Sequence, residues 1–166
     1  MLQFWQQWTG LNVILYFAAR LFERAGADAT NAATSLVVGN AVLLVVGTLI
    51  SMALIDRPGV GRRALLLWGG AAMALCHTGV AVLVGLADNA PEGSAASTAL
   101  SVCSVACMFL FTLAFSCSWG PVVWVVQNEV LPLSVRAQGV ALGTAVNWAS
   151  NSIMCGGRAP PLSRAV

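Results

Sequence analysis

The 166 residues are 58% hydrophobic and only 8% charged, with a mean hydropathy of +0.83. Soluble domains carry about 25% charged residues, and a soluble fold of this length exposes too much surface to hide so many apolar side chains. The formal net charge of +2 and the lack of lysine argue against a nucleic-acid partner. The composition therefore indicates an all-α, multi-pass integral membrane protein in a lipid bilayer.

Five apolar segments are long enough to be transmembrane helices, because a bilayer core of about 30 Å needs about 20 apolar residues. We predict helices over about Leu2–Phe22, Ala33–Ile55, Ala64–Ala87, Ala99–Val126 and Ala137–Cys155. No basic region precedes Phe4, which argues against a cleaved signal peptide. Residues 156–166 contain two glycines and two prolines, which predict an unstructured tail.

The connections between these segments differ in charge. The connection from Asp56 to Arg63 carries three arginines and one aspartate, whereas the connection from Asp88 to Thr98 carries two acids and no basic residue. Short basic loops stay in the cytoplasm. We therefore predict that the loop around Arg62 is cytoplasmic and that the loop around Glu92 is external.

Polar side chains interrupt the apolar segments, and such groups are costly in a bilayer unless they face protein, water or a ligand. They are Gln6, Gln7, Thr9, Asn12, Asn40, Trp124, Gln127, Asn128, Glu129, Thr144, Asn147 and Asn151. Thr144, Asn147 and Asn151 share one helical face, and Trp148 lies beside it. Amides donate and accept hydrogen bonds as hydroxyls do, and indole stacks on the apolar face of a sugar ring. This pattern favours a polyhydroxylated ligand.

Gln7 and Asn12 are five residues apart, which places them on different faces of a regular helix. Gly10 between them permits an irregular turn that brings them together, and discontinuous helices are common in transporter binding sites. The alternative is that the amides only join helices, at about 0.6 kcal/mol per hydrogen bond. For one amide the two interpretations are balanced, whereas the number of amides favours a ligand cavity.

Glycine and proline positions predict the helix geometry. Gly120 and Pro121 are expected to break the fourth helix as a kink or a hinge, since proline frees a backbone carbonyl. Gly139 and Gly143 form a GxxxG pattern that indicates close helix packing. His77 and the five cysteines are interpreted as packing residues, because there is no CxxC pair and a single histidine lacks partners for a metal. No catalytic residue, metal site or cofactor is predicted.

Charged residues form a second group, at the helix ends that are predicted to face the cytoplasm. The group consists of Asp56, Arg62, Arg63, Glu129 and Arg136. One interpretation is that these are ordinary positive-inside residues. The other is that they form ion pairs between helix ends, which hold one conformation and are released in another.

Four motifs resemble those of the sugar porter family of the major facilitator superfamily. Residues 6–12, QQWTGLN, resemble QQxxGxN in the family's seventh helix, and residues 56–63, DRPGVGRR, resemble the loop between helices eight and nine. Residues 120–136 resemble the tenth helix and its exit, and residues 147–151, NWASN, resemble the amide motif of helix eleven. The resemblance covers about residues 4–154 and implies a partial facilitator fold in residues 1–155, corresponding to helices seven to eleven.

The resemblance also implies a function. A full-length relative would move a monosaccharide, hexose-like, across the plasma membrane by alternating access, with an N-terminal six-helix bundle as partner. Gln6, Gln7, Asn12, Asn40, Trp124 and Asn147 match positions that line the family's sugar cavity, with Asn151 as a further candidate. Asp56, Arg62, Arg63, Glu129 and Arg136 match the intracellular charge network that latches the outward-facing state.

Two departures from the family pattern bear on these expectations. The cytoplasmic loop has two extra residues near Val60 and Gly61, which would displace the latch, and Ala19 and Arg20 replace the residues usual at the outer gate. The six preceding helices and a twelfth have no counterpart here. The rival interpretation is therefore a truncated, non-transporting membrane protein that only associates with partner helices. An enzyme is not expected, because the sequence shows no nucleophile–base pair, phosphate loop or metal cluster.

Overall fold

The computed structural model describes residues 1–12, 29–57, 59–91 and 94–156. In these ranges the helices are α1 Leu2–Trp8, α2 Ala29–Ile55, α3 Arg62–Asp88, α4 Ala95–Cys117, α5 Trp119–Val130 and α6 Arg136–Gly156. The prediction of an all-α protein is confirmed for this part of the chain. The predicted outer gate around Arg20 and the tail after Gly156 lie outside the described residues.

Three helical stretches in the described ranges are long and apolar enough to cross a membrane: Leu36–Ile55, Arg62–Asp88 and Ala95–Val130. They correspond to the second, third and fourth predicted spans. The fifth predicted span is a helix of sufficient length, since α6 has 21 residues. It is not among the three because its amides, hydroxyls and glycines lower its hydropathy. The first predicted span is described only as far as Asn12.

The fourth predicted helix is divided in two, close to the predicted break. α4 ends at Cys117, and Ser118 has φ −133° and ψ −86°, which is outside the helical region. α5 begins at Trp119 and has Pro121 in its first turn, where a missing N–H group interrupts no hydrogen bond of the helix. The prediction that Gly120 and Pro121 mark a discontinuity is confirmed.

α5 is the central helix of the described bundle, because it contacts each of the other five. On one side α2, α3 and α4 pack together, and on the other α1 packs on α6. The apolar core lies on the first side and consists of Leu36, Met73, Met108, Phe111 and Phe115. The polar residues of α1, α5 and α6 therefore meet outside this core.

Small residues allow the helices on the core side to approach closely. Gly47 of α2 lies directly against Ser116 of α4, and Gly69 of α3 lies against Ser118. His77 packs edge-on against Phe111, with ring centroids 4.6 Å apart. The interpretation of His77 as a packing residue is thus confirmed by its contact.

Candidate ligand-binding site

A cavity of about 320 Å³ lies where α1, α5 and α6 meet. Its volume falls at the lower end of the range for small-molecule sites, roughly 300 to 1,000 Å³. The residues that line it are Gln6, Gln7, Leu11, Asn12, Phe115, Gly120, Trp124, Asn147, Trp148 and Asn151. Six of the seven residues predicted to bind a ligand are therefore brought together here, and the seventh, Asn40, is not in the lining.

The irregular turn predicted at Gly10 is present. α1 ends at Trp8, and Gly10 has φ +85°, in the left-handed region that favours glycine. The turn brings Asn12 back towards α1, so that its Nδ2 donates to Oε1 of Gln7 at 3.0 Å. A regular helix would have kept these two amides on different faces.

Asn147 is the centre of the polar network and is only 5% exposed. Its Nδ2 donates to Oε1 of Gln3 at 2.7 Å and to Oε1 of Gln6 at 2.8 Å. Its Oδ1 accepts a hydrogen bond from Nε2 of Gln7 at 2.8 Å. One amide of α6 therefore joins three amides of α1.

Two further hydrogen bonds extend this network. Nε2 of Gln6 donates to the carbonyl oxygens of Trp119 and Gly120, at 2.7 and 3.0 Å, and so joins α1 to the start of α5. Nδ2 of Asn12 donates to Oδ1 of Asn151 at 2.7 Å. The amides thus connect all three helices around the cavity.

The face predicted on α6 is only partly used by the cavity. Asn147, Trp148 and Asn151 line it, whereas Thr144 does not. The Thr144 hydroxyl donates to the carbonyl oxygen of Val140, one turn back in its own helix, at 2.9 Å. Asn40 is buried on α2, and its predicted role stays a prediction that this cavity does not support.

Gln3 and Gln127 belong to the network although neither was a predicted site residue. Gln3 Nε2 donates to Oε1 of Gln127 at 2.7 Å, and Nε2 of Gln127 donates to the carbonyl oxygens of Gly139 and Val140 at 3.3 and 3.2 Å. The signal for Gln3 was its spacing, because it precedes Gln7 by four residues and so shares its helical face.

The two glycines of the GxxxG pattern in α6 allow α5 and the residue that follows it to pack closely on α6. Gly143 lies against the side-chain amide of Gln127, and Gly139 lies against the side chain of Leu131. A Cβ atom at either glycine would overlap these groups. The interpretation of Gly139 and Gly143 as close-packing residues is confirmed.

Three of the five predicted charged residues meet at the other end of α5. Nη2 of Arg62 lies 2.5 Å from Oε1 of Glu129 and 3.8 Å from Oδ1 of Asp56. Arg62 is the first residue of α3, and the loop before it turns at Gly59, where φ is +99°. The two extra loop residues therefore do not keep Arg62 away from Glu129.

The other two predicted members of the charged group lie apart from this cluster. Arg63 is exposed and takes part in no ion pair within the described ranges. Arg136 directs its Nε to the carbonyl oxygen of Leu131, at 3.2 Å, and so stabilises the connection between α5 and α6. The latching role assigned to the group stays a prediction.

Comparison with known proteins gives one family and several relatives. The family model described as "Sugar (and other) transporter" matches residues 1–155. Sugar transport protein 7 of Arabidopsis thaliana is 40% identical over 139 residues, which cover 84% of this chain and 26% of that protein. Sugar transport protein MST3 of Oryza sativa subsp. japonica is 36% identical over 151 residues, covering 87% and 27%.

A yeast protein shows the same relationship. Hexose transporter 2 of Kluyveromyces lactis is 35% identical over 154 residues, which cover 89% of this chain and 26% of that protein. The chain therefore spans about a quarter of the length of these relatives.

Proposed function

This chain belongs to the sugar transporter family of the major facilitator superfamily, and we propose that in its full-length form it moves a hexose-like monosaccharide by alternating access. The family consists of transporters and not of enzymes. The observation that carries the proposal is the cavity of about 320 Å³ lined by amides and indole rings. Relatives named for sugar and hexose transport support the choice of substrate class.

The hydrogen-bonding capacity of the cavity suits a sugar. An amide offers two donor hydrogens and two acceptor lone pairs. Among the described residues, Gln7 donates one hydrogen bond, to Asn147, and accepts one, from Asn12. Capacity therefore remains for a hydroxyl group, which also donates and accepts. A sugar hydroxyl can also take the place of one amide in such a bond.

The aromatic residues of the cavity supply the apolar contact that a pyranose ring needs. Trp124 and Trp148 lie on α5 and α6, and both line the cavity. Indole stacks against the C–H face of a sugar while its N–H group stays free to donate. The proposed roles are thus stacking for the two indoles and hydroxyl recognition for the amides.

The amides also hold helices together, which was the alternative interpretation. Gln7 and Asn147, for example, join α1 to α6 through a bond of 2.8 Å. The two roles are compatible, because alternating access requires contacts around the ligand that exchange as the protein rearranges. A bond between two exchangeable amides can be replaced by a bond to the ligand.

The charged cluster is proposed to act as a conformational latch. Arg62 lies at the beginning of α3 and Glu129 near the end of α5, so their ion pair connects two helix ends. Such a bond biases the equilibrium only if it forms in one state and not in the other. We assign it to the state in which the cytoplasmic side is closed.

A plasma-membrane location and symport with protons are finer parts of this proposal. Uptake by intact cells, measured with and without a proton uncoupler, tests both. Accumulation that is lost with the uncoupler supports symport, whereas simple equilibration of the sugar supports uncoupled transport.

Sugar uptake by a complete transporter tests the main proposal. Residues 1–155 would replace the corresponding segment of Sugar transport protein 7, and uptake of radiolabelled hexose into liposomes would be measured. The substitution Gln7→Ala should weaken sugar binding by about 0.5–1.5 kcal/mol, because one hydrogen-bonding group is lost.

The matched control is Asn128→Ala, because that amide is exposed and, among the described residues, bonds to the backbone carbonyl oxygen of Trp124 in its own helix and to none of the cavity amides. Equal sugar affinity in Gln7→Ala and in the parent would show that the amides only join helices. Failure of the complete transporter to take up any hexose would favour the rival function, a non-transporting membrane protein that associates with partner helices.

A further inference from the structure

A chain of hydrogen bonds leaves the cavity and ends on the backbone of α6. Nδ2 of Asn147 donates to Gln3 at 2.7 Å, and Nε2 of Gln3 donates to Gln127 at 2.7 Å. Nε2 of Gln127 then donates to the carbonyl oxygens of Gly139 and Val140. Gln127 does not line the cavity, and within the described ranges its hydrogen-bonded connection to the site runs through Gln3.

The backbone carbonyl groups at the end of this hydrogen-bond chain determine which group donates and which accepts in every bond along it. A backbone carbonyl can only accept, so Gln127 must turn its NH₂ group towards α6 and its Oε1 towards Gln3. Gln3 must then donate to Gln127, which leaves Oε1 of Gln3 to accept from Asn147. If Gln127 were reversed, its Oε1 would face two carbonyl oxygens and no donor.

A second branch meets the first at Asn147. Nε2 of Gln6 ends on the carbonyl oxygens of Trp119 and Gly120, so Oε1 of Gln6 also faces Nδ2 of Asn147. The two branches supply a side-chain oxygen for each hydrogen of the Asn147 amide, and the backbone carbonyl oxygen of Gln3 is a third, more distant acceptor at 3.3 Å. Oδ1 of Asn147 is the side-chain atom left for Gln7, from which it accepts a bond of 2.8 Å.

The packing of α6 makes the first branch possible. Gly143 lies against the amide of Gln127, and a Cβ atom there would overlap both its nitrogen and its oxygen. Glycine at this position lets the amide approach the backbone of α6 closely enough to reach two carbonyl groups. The hydrogen-bond chain therefore ends in a close packing contact between α5 and α6.

We propose that Gln127 is a positioning residue that determines ligand specificity by keeping one Asn147 hydrogen occupied through Gln3. Asn147 then acts towards the cavity as an acceptor and not as a donor. The part of this proposal that concerns the ligand rests on the proposed sugar-transport function. The part that concerns the amide of Asn147 stands on the hydrogen bonds alone.

The test uses sugar analogues in the complete transporter that carries residues 1–155. Gln127→Met keeps the length of the side chain but removes both the donor and the acceptor. Gln3 then loses its anchor, so its Oε1 is no longer held towards Asn147. The more distant backbone carbonyl oxygen of Gln3, at 3.3 Å, remains as an acceptor for that Asn147 hydrogen, and a ligand in the cavity can compete for it.

Fluorine can accept a hydrogen bond but cannot donate one, so the parent, in which Asn147 only accepts, should bind a monofluorinated hexose more weakly than the hexose. In Gln127→Met, Asn147 can also donate to the fluorine. The ratio of hexose affinity to analogue affinity should therefore fall for fluorine at one ring position or more. One hydrogen bond corresponds to a change of about 2- to 12-fold in this ratio.

Two further variants separate this role from a general loosening of the bundle. Asn128→Leu removes the neighbouring amide of α5, which bonds to the backbone carbonyl oxygen of Trp124 in its own helix and to none of the cavity amides, and should leave the analogue ratios unchanged. Gln3→Met should add little to Gln127→Met, because both break the same chain. Equal loss of affinity for all analogues, or fully additive effects of the two substitutions, would overturn the proposal.

A measurement without sugar keeps the inference separate from the proposed function. The side-chain amide resonance of Asn147, followed by NMR in detergent, should shift in Gln127→Met and stay in place in Asn128→Leu. If the transporter binds no hexose, the proposed function fails, and this resonance alone decides the positioning role. An unchanged resonance overturns that role, and if Gln127→Met does not fold, Gln3→Met breaks the same link.

Discussion

Two sides of the bundle accommodate polar groups in different ways. The amide side, formed by α1, α5 and α6, contains Gln3, Gln6, Gln7, Asn12, Gln127, Asn147 and Asn151. The hydroxyl side, formed by α2, α3 and α4 with the residue that follows α4, contains Thr48, Ser101, Ser104, Ser116 and Ser118. Both sides bury polar atoms next to apolar ones, which is costly unless each atom is hydrogen-bonded.

The five hydroxyls named for the hydroxyl side are satisfied within single helices, whereas the buried Ser51 hydroxyl of α2 has no hydrogen-bond partner among the described residues. Ser104, for example, donates to the carbonyl oxygen of Leu100, and Ser116 donates to that of Thr112, in each case four residues back. These bonds can form before the helices meet, so they add nothing to helix association. Apolar contacts and close packing must hold this side together.

The seven amides named for the amide side form hydrogen bonds between helices. Gln7 and Asn147 are 140 residues apart in the sequence, and Asn12 and Asn151 are 139 residues apart. These bonds exist only when α1 and α6 are assembled. The comparison teaches that an amide joins helices where it faces a neighbouring helix, whereas the short hydroxyl side chains named here bond to a carbonyl group of their own preceding turn. In this protein the ligand cavity lies on that side.

Asn147→Ala is expected to have the largest effect on stability. The substitution removes one hydrogen bond from each of Gln3, Gln6 and Gln7, and at about 1 kcal/mol each the loss is about 3 kcal/mol in the free energy of unfolding. Thermal unfolding of the protein in detergent measures it. A loss no greater than that of a hydroxyl-side serine would contradict the distinction between the two sides.

Gly47→Ala tests the packing of the hydroxyl side. A Cβ atom at Gly47 would overlap Cβ of Ser116 and approach its backbone, so the helices must move apart, at a cost of about 2 kcal/mol. The matched control is Gly85→Ala in α3, where no atom beyond the neighbouring residues and backbone of the same helix lies within 4 Å of the added carbon. Alanine there should stabilise the helix by about 0.5–1 kcal/mol. Equal effects of the two substitutions would show that α2 and α4 are not in close contact.

Glu129→Gln tests the charged cluster at the end of α5. The ion pair with Arg62 is partly exposed, with the two side chains 46% and 38% accessible, so solvent screening limits its contribution to about 1 kcal/mol or less. This corresponds to at most about a fivefold change in the ratio of the two conformational states. Net transport should slow, while sugar affinity in a trapped outward-open form should stay nearly constant.

Arg63→Gln is the matched variant for this prediction, because Arg63 is exposed and lies outside the ion pair. It should affect transport less than Glu129→Gln does. A large loss of sugar affinity in trapped Glu129→Gln, with normal exchange between states, would instead assign Glu129 to the binding site.

Ser104→Ala is expected to have the smallest effect, at about 0.5 kcal/mol or less. Its hydroxyl donates to a carbonyl group of its own helix, and such bonds contribute little to helix stability. Unfolding measured beside Asn147→Ala gives the contrast directly. A loss comparable with that of Asn147→Ala would mean that Ser104 joins helices after all.

Much of the fold could be predicted from the sequence, because the relevant signals are local. Hydropathy located the apolar helices, and the chemistry of Gly10 and Pro121 located the two discontinuities at Gly10 and Ser118. Six of the seven predicted ligand-binding residues share one cavity because their motifs lie at the same level of neighbouring helices. The fifth predicted helix is also present, as α6 with 21 residues, although its amides lower its hydropathy below that of the three apolar spans.

Only the tertiary structure decided which side chains meet. Arg62 and not Arg63 pairs with Glu129, Asn40 lies away from the cavity, and Gln3 and Gln127 belong to its network. These outcomes depend on how far each helix is rotated about its axis and how closely it approaches its neighbours. A rotation of one residue, about 100°, exchanges Arg62 for Arg63 without changing the hydropathy pattern. Helix rotation and packing determine the contacts between residues more than 100 positions apart, and local sequence patterns do not specify that packing.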